Sequence, residues 1–271
     1  MKYTNTLKLS SFILIIALFI TACGDDPASS GNEDPPEFPE FENIDADLSY
    51  FEQNSQATGQ ENNTNFTEAY FYATGLSAVT SSGLFYTAFF SSANQGEADF
   101  NNGTWRWEYS YSFEGETASI VLTSQEVGDN IVWEMNWSYN DGQGTSFENY
   151  TMVEGSIAQD GSSGTWTFNS LDPESNQEEP FMETTWERTG EDNFESTTEY
   201  FGDGTGVQTY TYTQNGNIFD VTFSDTDSQN NIYVHWNTTS QTGYYQEGTD
   251  TANRYCWNDS FTNVDCSTVG Y

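Results

Sequence analysis

The sequence predicts a mainly β protein: an antiparallel up-and-down meander forming a barrel or half-barrel, with one N-terminal helix packed on it. Three observations carry this. From Thr104 onward, apolar residues alternate with polar ones, the two-residue period of a half-buried strand. Turn signals rich in Gly, Asn and Asp interrupt the pattern about every 8–14 residues, so neighbours in sequence become neighbours in space. The 8 Trp, 17 Tyr and 20 Phe among 271 residues give the chain ample apolar surface to bury, which excludes disorder throughout.

The helix is read near residues 65–91. Phe66, Tyr70, Ala73, Ser77, Thr80 and Leu84 recur at helical spacing, and Glu68 stands in a Thr/Asn-rich first turn. The first strand follows: Trp105, Trp107, Tyr109, Tyr111 and Phe113 alternate with Arg106, Glu108, Ser110 and Ser112. Ala118, Ile120 and Leu122 share a face of the next. Ile131, Trp133, Met135, Trp137 and Tyr139 form a second aromatic stripe. The chain turns at Asn140–Gly144 and continues in strands at Phe147–Val153, Gly164–Asn169 and Met182–Trp186, the last after an acidic loop at Leu171–Pro180. Strands at Ser196–Phe201, Val207–Gln214, Ile218–Phe223, Ile232–Trp236, Gly243–Gln246 and Tyr255–Trp257 complete the meander. Asn215-Gly216 reads as a type I′ hairpin loop.

Ahead of this domain the composition changes. Lys2 and Lys8 precede the apolar run Phe12–Ile20, and small residues close the segment, which describes a secretory signal over residues 1–22. The run is shorter than the roughly 20 residues needed to span a bilayer. Ile20-Thr21-Ala22-Cys23 resembles the lipobox of bacterial lipoproteins. The resemblance implies cleavage before Cys23, acyl chains on that cysteine, and a membrane contact through this anchor alone. Gly24, where an Asp directs retention at the inner membrane, implies the outer membrane; Asp25-Asp26 resembles the export tags of surface lipoproteins, so both its periplasmic and its cell-surface faces stay open. Residues 23–46 are rich in Pro, Gly, Ser and acids without apolar periodicity and read as a tether, leaving 47–271 as a single β-rich domain.

Both lysines fall in the signal segment. From Cys23 onward, Arg106, Arg188 and Arg254 stand against all 42 acids, a formal charge of −39. Such a chain builds no basic face, which excludes nucleic acid as partner. Its self-repulsion points to a saline setting, where screening shortens the range of the field. With Cys23 acylated, Cys256 and Cys266 remain as a pair, and the oxidising envelope favours a disulfide.

Residues able to carry chemistry are scarce. His235, the only histidine, stands on a strand between Val234 and Trp236. Glu134 and Glu108 lie between aromatic neighbours and are the best carboxylates for acid–base work, though no glycosidase signature surrounds either. Asp225–Asn230 offers alternating oxygens but lacks the Gly and terminal Glu of a calcium loop, and reads as a polar turn. No catalytic residue, cofactor motif or metal-ligand set is assigned. The aromatic stripes have two readings. Trp105, Trp107, Trp133 and Trp137 fill a core, or they face a ligand, a small apolar molecule or a glycan, in a half-open barrel. In outline this is similar to lipocalin-type and lipoprotein-carrier half-barrels, an architectural likeness without a shared motif. The expectation is a non-enzymatic, lipid-anchored envelope protein acting as an interaction or ligand-binding module. The alternative is an envelope carbohydrate-active hydrolase using two carboxylates in a Trp-lined groove.

Overall fold

The computed structural model describes residues 35–38, 44, 46–80, 98–113, 115–172, 177–202 and 206–271. Cys23, the signal segment and the part of the expected helix beyond residue 80 lie outside the described residues. Fourteen strands form one sheet in strict sequence order, each antiparallel to the next, and the first and last strands do not pair. They are β1 Asp99–Asn101, β2 Thr104–Phe113, β3 Glu116–Val127, β4 Asn130–Asn140, β5 Ser146–Ala158, β6 Ser163–Leu171 and β7 Glu178–Gly190. The meander continues through β8 Asn193–Phe201, β9 Val207–Asn215, β10 Ile218–Asp225, β11 Asn231–Asn237, β12 Thr242–Glu247, β13 Arg254–Trp257 and β14 Asn263–Val264. The helices are α1 Ser49–Gln53, α2 Thr64–Thr80 and α3 Cys266–Val269.

Alternation in each strand turns into continuous rows across the sheet. Trp107, Leu122, Met135, Val153, Phe168 and Met182 follow one another from β2 to β7, and all six are buried. The parallel row Trp133, Gly155, Trp166, Thr184 and Thr198 joins two buried threonine hydroxyls 2.9 Å apart, so neither polar group is left without a partner. Large rings are matched to glycines. A Cβ on Gly155 would lie 2.3 Å from the Trp166 ring, and one on Gly243 would meet the Trp257 ring at 2.3 Å and the His235 carbonyl at 2.2 Å. Only glycine leaves room for these rings to lie on the neighbouring strand.

The α2 helix packs on β11–β14. Phe66, Ala69 and Ala73 form its buried face. Phe66 meets Trp257 edge-on at 5.7 Å, and Phe51 of α1 meets Trp236 at 5.0 Å. Trp257 Nε1 donates to the Tyr50 hydroxyl, which donates onward to the Gln241 carbonyl. Burial pushes the Tyr50 phenol well above its ordinary pKa. At the helix start, the Asn65 amide is satisfied by the Asn263 side chain, 2.9 Å away, from the far end of the chain.

Three local expectations are corrected. The β9–β10 loop is Gly216-Asn217, since Asn215 pairs with Ile218. Gly216 has φ +61° and Asn217 is not in the left-handed region, which marks a type II′ rather than a type I′ turn. Bonds from Gly216 N to Asp192 O and from Thr238 N to Asn217 O tie this loop to both neighbouring turns. The acidic loop before Met182 is shorter than expected because Glu178, Glu179 and Pro180 already pair with β6. Pro180 is tolerated there because β8 joins β7 only from Met182 onward, so its missing N–H disrupts no second ladder. Finally, Phe38, Ile44 and Ala46, within the expected tether, pack against the core.

Candidate functional site

The site lies at one end of β2–β5. Tyr111, Ala118, Tyr139 and Phe147 stand side by side across the four strands. Behind them run Tyr109, Ile120, Trp137 and Tyr150. The first row is half-buried. A recess of about 470 Å³ lies at this end of the strands, lined by positions of this row and by their strand neighbours, among them Ser110, Ser119, Ser138 and Glu148. Neighbours along a strand face opposite ways, so the serine hydroxyls stand on the face opposite the Tyr111, Tyr139 and Phe147 rings. That volume falls within the range of small-molecule sites, about 300–1,000 Å³.

A β-bulge builds the recess. In a regular strand Phe147 and Tyr150, three residues apart, would face opposite ways. Here Trp137 pairs with Tyr150 and Tyr139 with Phe147, so β5 carries one extra residue at this point. Asn149 absorbs it with φ +53°, and its N–H donates to Ser138 Oγ at 2.9 Å. The Phe147 ring is thereby returned to the aromatic row, 5.1 Å from Trp137, 5.9 Å from Tyr139 and 5.8 Å from Tyr150.

The β4–β5 loop forms a fixed rim. Asn140 Oδ1 accepts from Gly142 N at 2.7 Å, and Asp141 Oδ1 accepts from Gln143 N at 2.7 Å and Thr145 N at 2.9 Å. These backbone amides hold the Asp141 carboxyl below its ordinary pKa. Gly142 lies so close to the β2–β3 turn that a Cβ there would sit 2.8 Å from the Gly115 carbonyl. Burial first, then the charges of Glu116 and Asp141, raises the Tyr139 phenol above its ordinary value.

The tryptophans singled out by periodicity lie elsewhere. Trp105, Trp107 and Trp133 are only 5%, 2% and 1% exposed. Trp107 and Trp133 stack at 6.0 Å, and Phe38 covers both at 5.1 and 5.6 Å. They are core. Trp137 alone among the four adjoins the recess, through Tyr139 and Phe147. Glu134 stands opposite Glu154 on the exposed face, away from the Trp133 side of the strand, and Glu108 is paired with Arg106. The two carboxylates and the tryptophan stripe thus share no groove. Asp225 accepts backbone bonds from Asp227 and Ser228, as a polar turn does. His235 Nδ1 bonds Asp220 at 2.7 Å, with its ring stacked on Tyr244 at 5.1 Å. Cys256 and Cys266 are bonded, with their Cα atoms 5.1 Å apart.

Tyr111 and Tyr139 belong to the stripes visible in sequence, but Glu116, Asp141, Phe147 and Glu148 escape that reading. Their one signal is position: they flank the two turns that meet at Gly115 and Gly142. Family models, curated proteins and solved structures alike give no match to this chain.

Proposed function

We propose that this is a non-enzymatic lipoprotein, anchored through acyl chains on Cys23 at the outer membrane, whose domain binds a small ligand in the β2–β5 recess. The observation that carries the reading is the recess itself: about 470 Å³ of open space on the strand ends of β2–β5, lined chiefly by small polar residues such as Ser110, Ser119 and Ser138, in a sheet whose tryptophans are otherwise packed away. Several features support it. The bulge at Asn149 shapes the strand beside the recess at the expense of a left-handed non-glycine residue. The rim is hydrogen-bonded before any ligand arrives, which reduces the ordering cost of binding. Carboxylates on the exposed face oppose each other across strands instead of converging on a groove, which counts against two-carboxylate hydrolysis.

The test is a screen of amines, sugars and fatty acids against the full chain labelled with fluorotyrosine, read by fluorine NMR. Binders shift the Tyr111 and Tyr139 signals, and Ser119→Trp, which stands between Ser110 and Ser138 and fills the recess, abolishes the shifts. Binding that survives Ser119→Trp, or a screen that leaves both tyrosines unmoved, overturns the reading.

A further inference from the structure

We infer that the recess takes a neutral, polyhydroxylated ligand: a sugar. The inference rests on the recess being a ligand site and adds the class of ligand.

The face that lines the recess comes first. Most of the lining residues stand on the outer side of the sheet, opposite the rings. Ser110, Ser119 and Ser138 form one row across β2–β4. Ser112, Thr117, Asn140 and Ser146 form a second, two residues further along the strands. Rows two residues apart lie about 7 Å from each other, and neighbours across strands about 4.8 Å. The result is a grid of hydroxyl and amide groups. Serine makes this grid concave. Across β7–β10 the same outer face carries Thr185, Thr197, Thr211 and Thr222 side by side, the branched residue that suits a strand. Most positions of the recess lack that branch.

Hydrogen bonding comes second. Ser138 Oγ accepts from the Asn149 N–H, which leaves its own proton to donate. Asn140 Oδ1 accepts from the Gly142 N–H, which leaves its NH₂ group to donate. The Ser110, Ser119 and Ser146 hydroxyls bond no other described residue. Elsewhere on this face hydroxyls are engaged: Thr197 with Thr211, Thr167 with Glu183 and Thr151 with Asn136. The recess thus holds donors and acceptors that the fold positions but does not use.

Chemistry then selects the class. A sugar hydroxyl both donates and accepts, so it matches any group of the grid. A fatty acid fails twice. The lining has no apolar side chain on this face, and the carboxylate meets Glu148 and the field of a chain with formal net charge −37. An organic cation gains Glu148 but meets no ring face here. Its charged group also offers no acceptor to Ser138 and Asn140.

Methyl glucoside is the probe, and glucuronate, a similar ring with a charge, is the control. The full chain is held in a polyoxyethylene detergent, which carries no sugar headgroup. Titrations are read by the fluorine signal of Tyr139, which stands between Ser138 and Asn140 in β4. The glucoside is expected to shift this signal with an affinity that NaCl leaves unchanged. Glucuronate binds about tenfold more weakly in dilute buffer and approaches the glucoside near 1 M NaCl. Ser119→Ala removes one hydroxyl without filling the recess and weakens the glucoside about two- to tenfold. Ser110→Ala does the same on an exposed residue, and Thr211→Ala, on the same face outside the recess, leaves binding unchanged. Glucuronate binding as tight as the glucoside in dilute buffer overturns the inference. So does glucoside binding indifferent to both Ser119→Ala and Ser110→Ala. Shifts with choline or octanoate that Ser119→Trp abolishes, and none with the glucoside, overturn the sugar and leave the site. Silence of all these probes overturns both.

Discussion

At the β11–β13 end, Phe51 and Phe66 lie against Trp236 and Trp257, and all four side chains are fully buried. At the β2–β5 end, Tyr111, Tyr139 and Phe147 stand in a row of the same kind of strand, yet they remain half-buried. The residue types match and the two-residue period matches. What differs is the cover. Helices α1 and α2 lie over the first group, and a disulfide pins the chain behind it. The second group has a rim loop at its edge. A period of two fixes which side of a sheet a ring faces, not what meets it there.

The sharpest way to break this contrast is to truncate one ring at each end. Trp257→Ala removes a ring with 0% exposure, its contacts with Phe66 and Phe51, and the Tyr50 hydroxyl's donor. A loss of about 3–5 kcal/mol is expected in denaturant unfolding. Phe147→Ala, at the recess, is expected to lose about 1–2 kcal/mol, because part of that ring already meets solvent. Equal losses would mean the Phe147 ring is as fully covered in solution as Trp257 and the two ends are not different in kind.

Next in size is the disulfide. Cys256 and Cys266 are 10 residues apart in sequence, and the chain-entropy model gives about 3 kcal/mol for a loop of this order. Replacing both by serine should lower the unfolding midpoint by that amount and leave binding at the recess intact, since β13 lies at the far end of the strand order. An unchanged midpoint would show that the helices hold this end without the bond.

The contrast also explains what could be read in advance. The meander was legible because the strand segments from Trp105 to Trp257 alternate apolar and polar residues and are separated by Gly, Asn and Asp turns. The pair Cys256–Cys266 was legible from elimination and compartment. The short strands β1 and β14 and the helices α1 and α3 were not, since two to five residues leave no period to detect. Two kinds of information were missing for the site. A bulge shifts register by one residue without altering composition, so Phe147 could not be assigned its face. The meeting of Gly115 with Gly142 joins turns 27 residues apart, and only folding brings them together. The tryptophan stripe was plain and left core and ligand face as alternatives; Phe38, from a segment that reads as a tether, covers Trp107 and Trp133 and makes them core.

The smallest expected effect concerns the face shared by both ends. On the outer side of the sheet, Glu134 stands opposite Glu154, Glu183 opposite Glu199, and Glu187 opposite Glu195. Directly opposed like charges destabilise a strand pair by about 0.2–1 kcal/mol. Glu199→Gln should therefore stabilise the protein by about that much in dilute buffer. The gain should vanish near 1 M salt, where the Debye length is about 3 Å, and the wild-type melting temperature should rise as salt is added. Glu126→Gln, whose register partner is Ile131, is the control for net charge: it lowers the overall charge equally without relieving an opposed pair. If both variants gain alike, the repulsion is global and the register of the glutamates is irrelevant. If only Glu199→Gln gains, and only at low salt, the sheet itself is built for a saline medium, strand pair by strand pair. The acidity seen in composition then has a structural address.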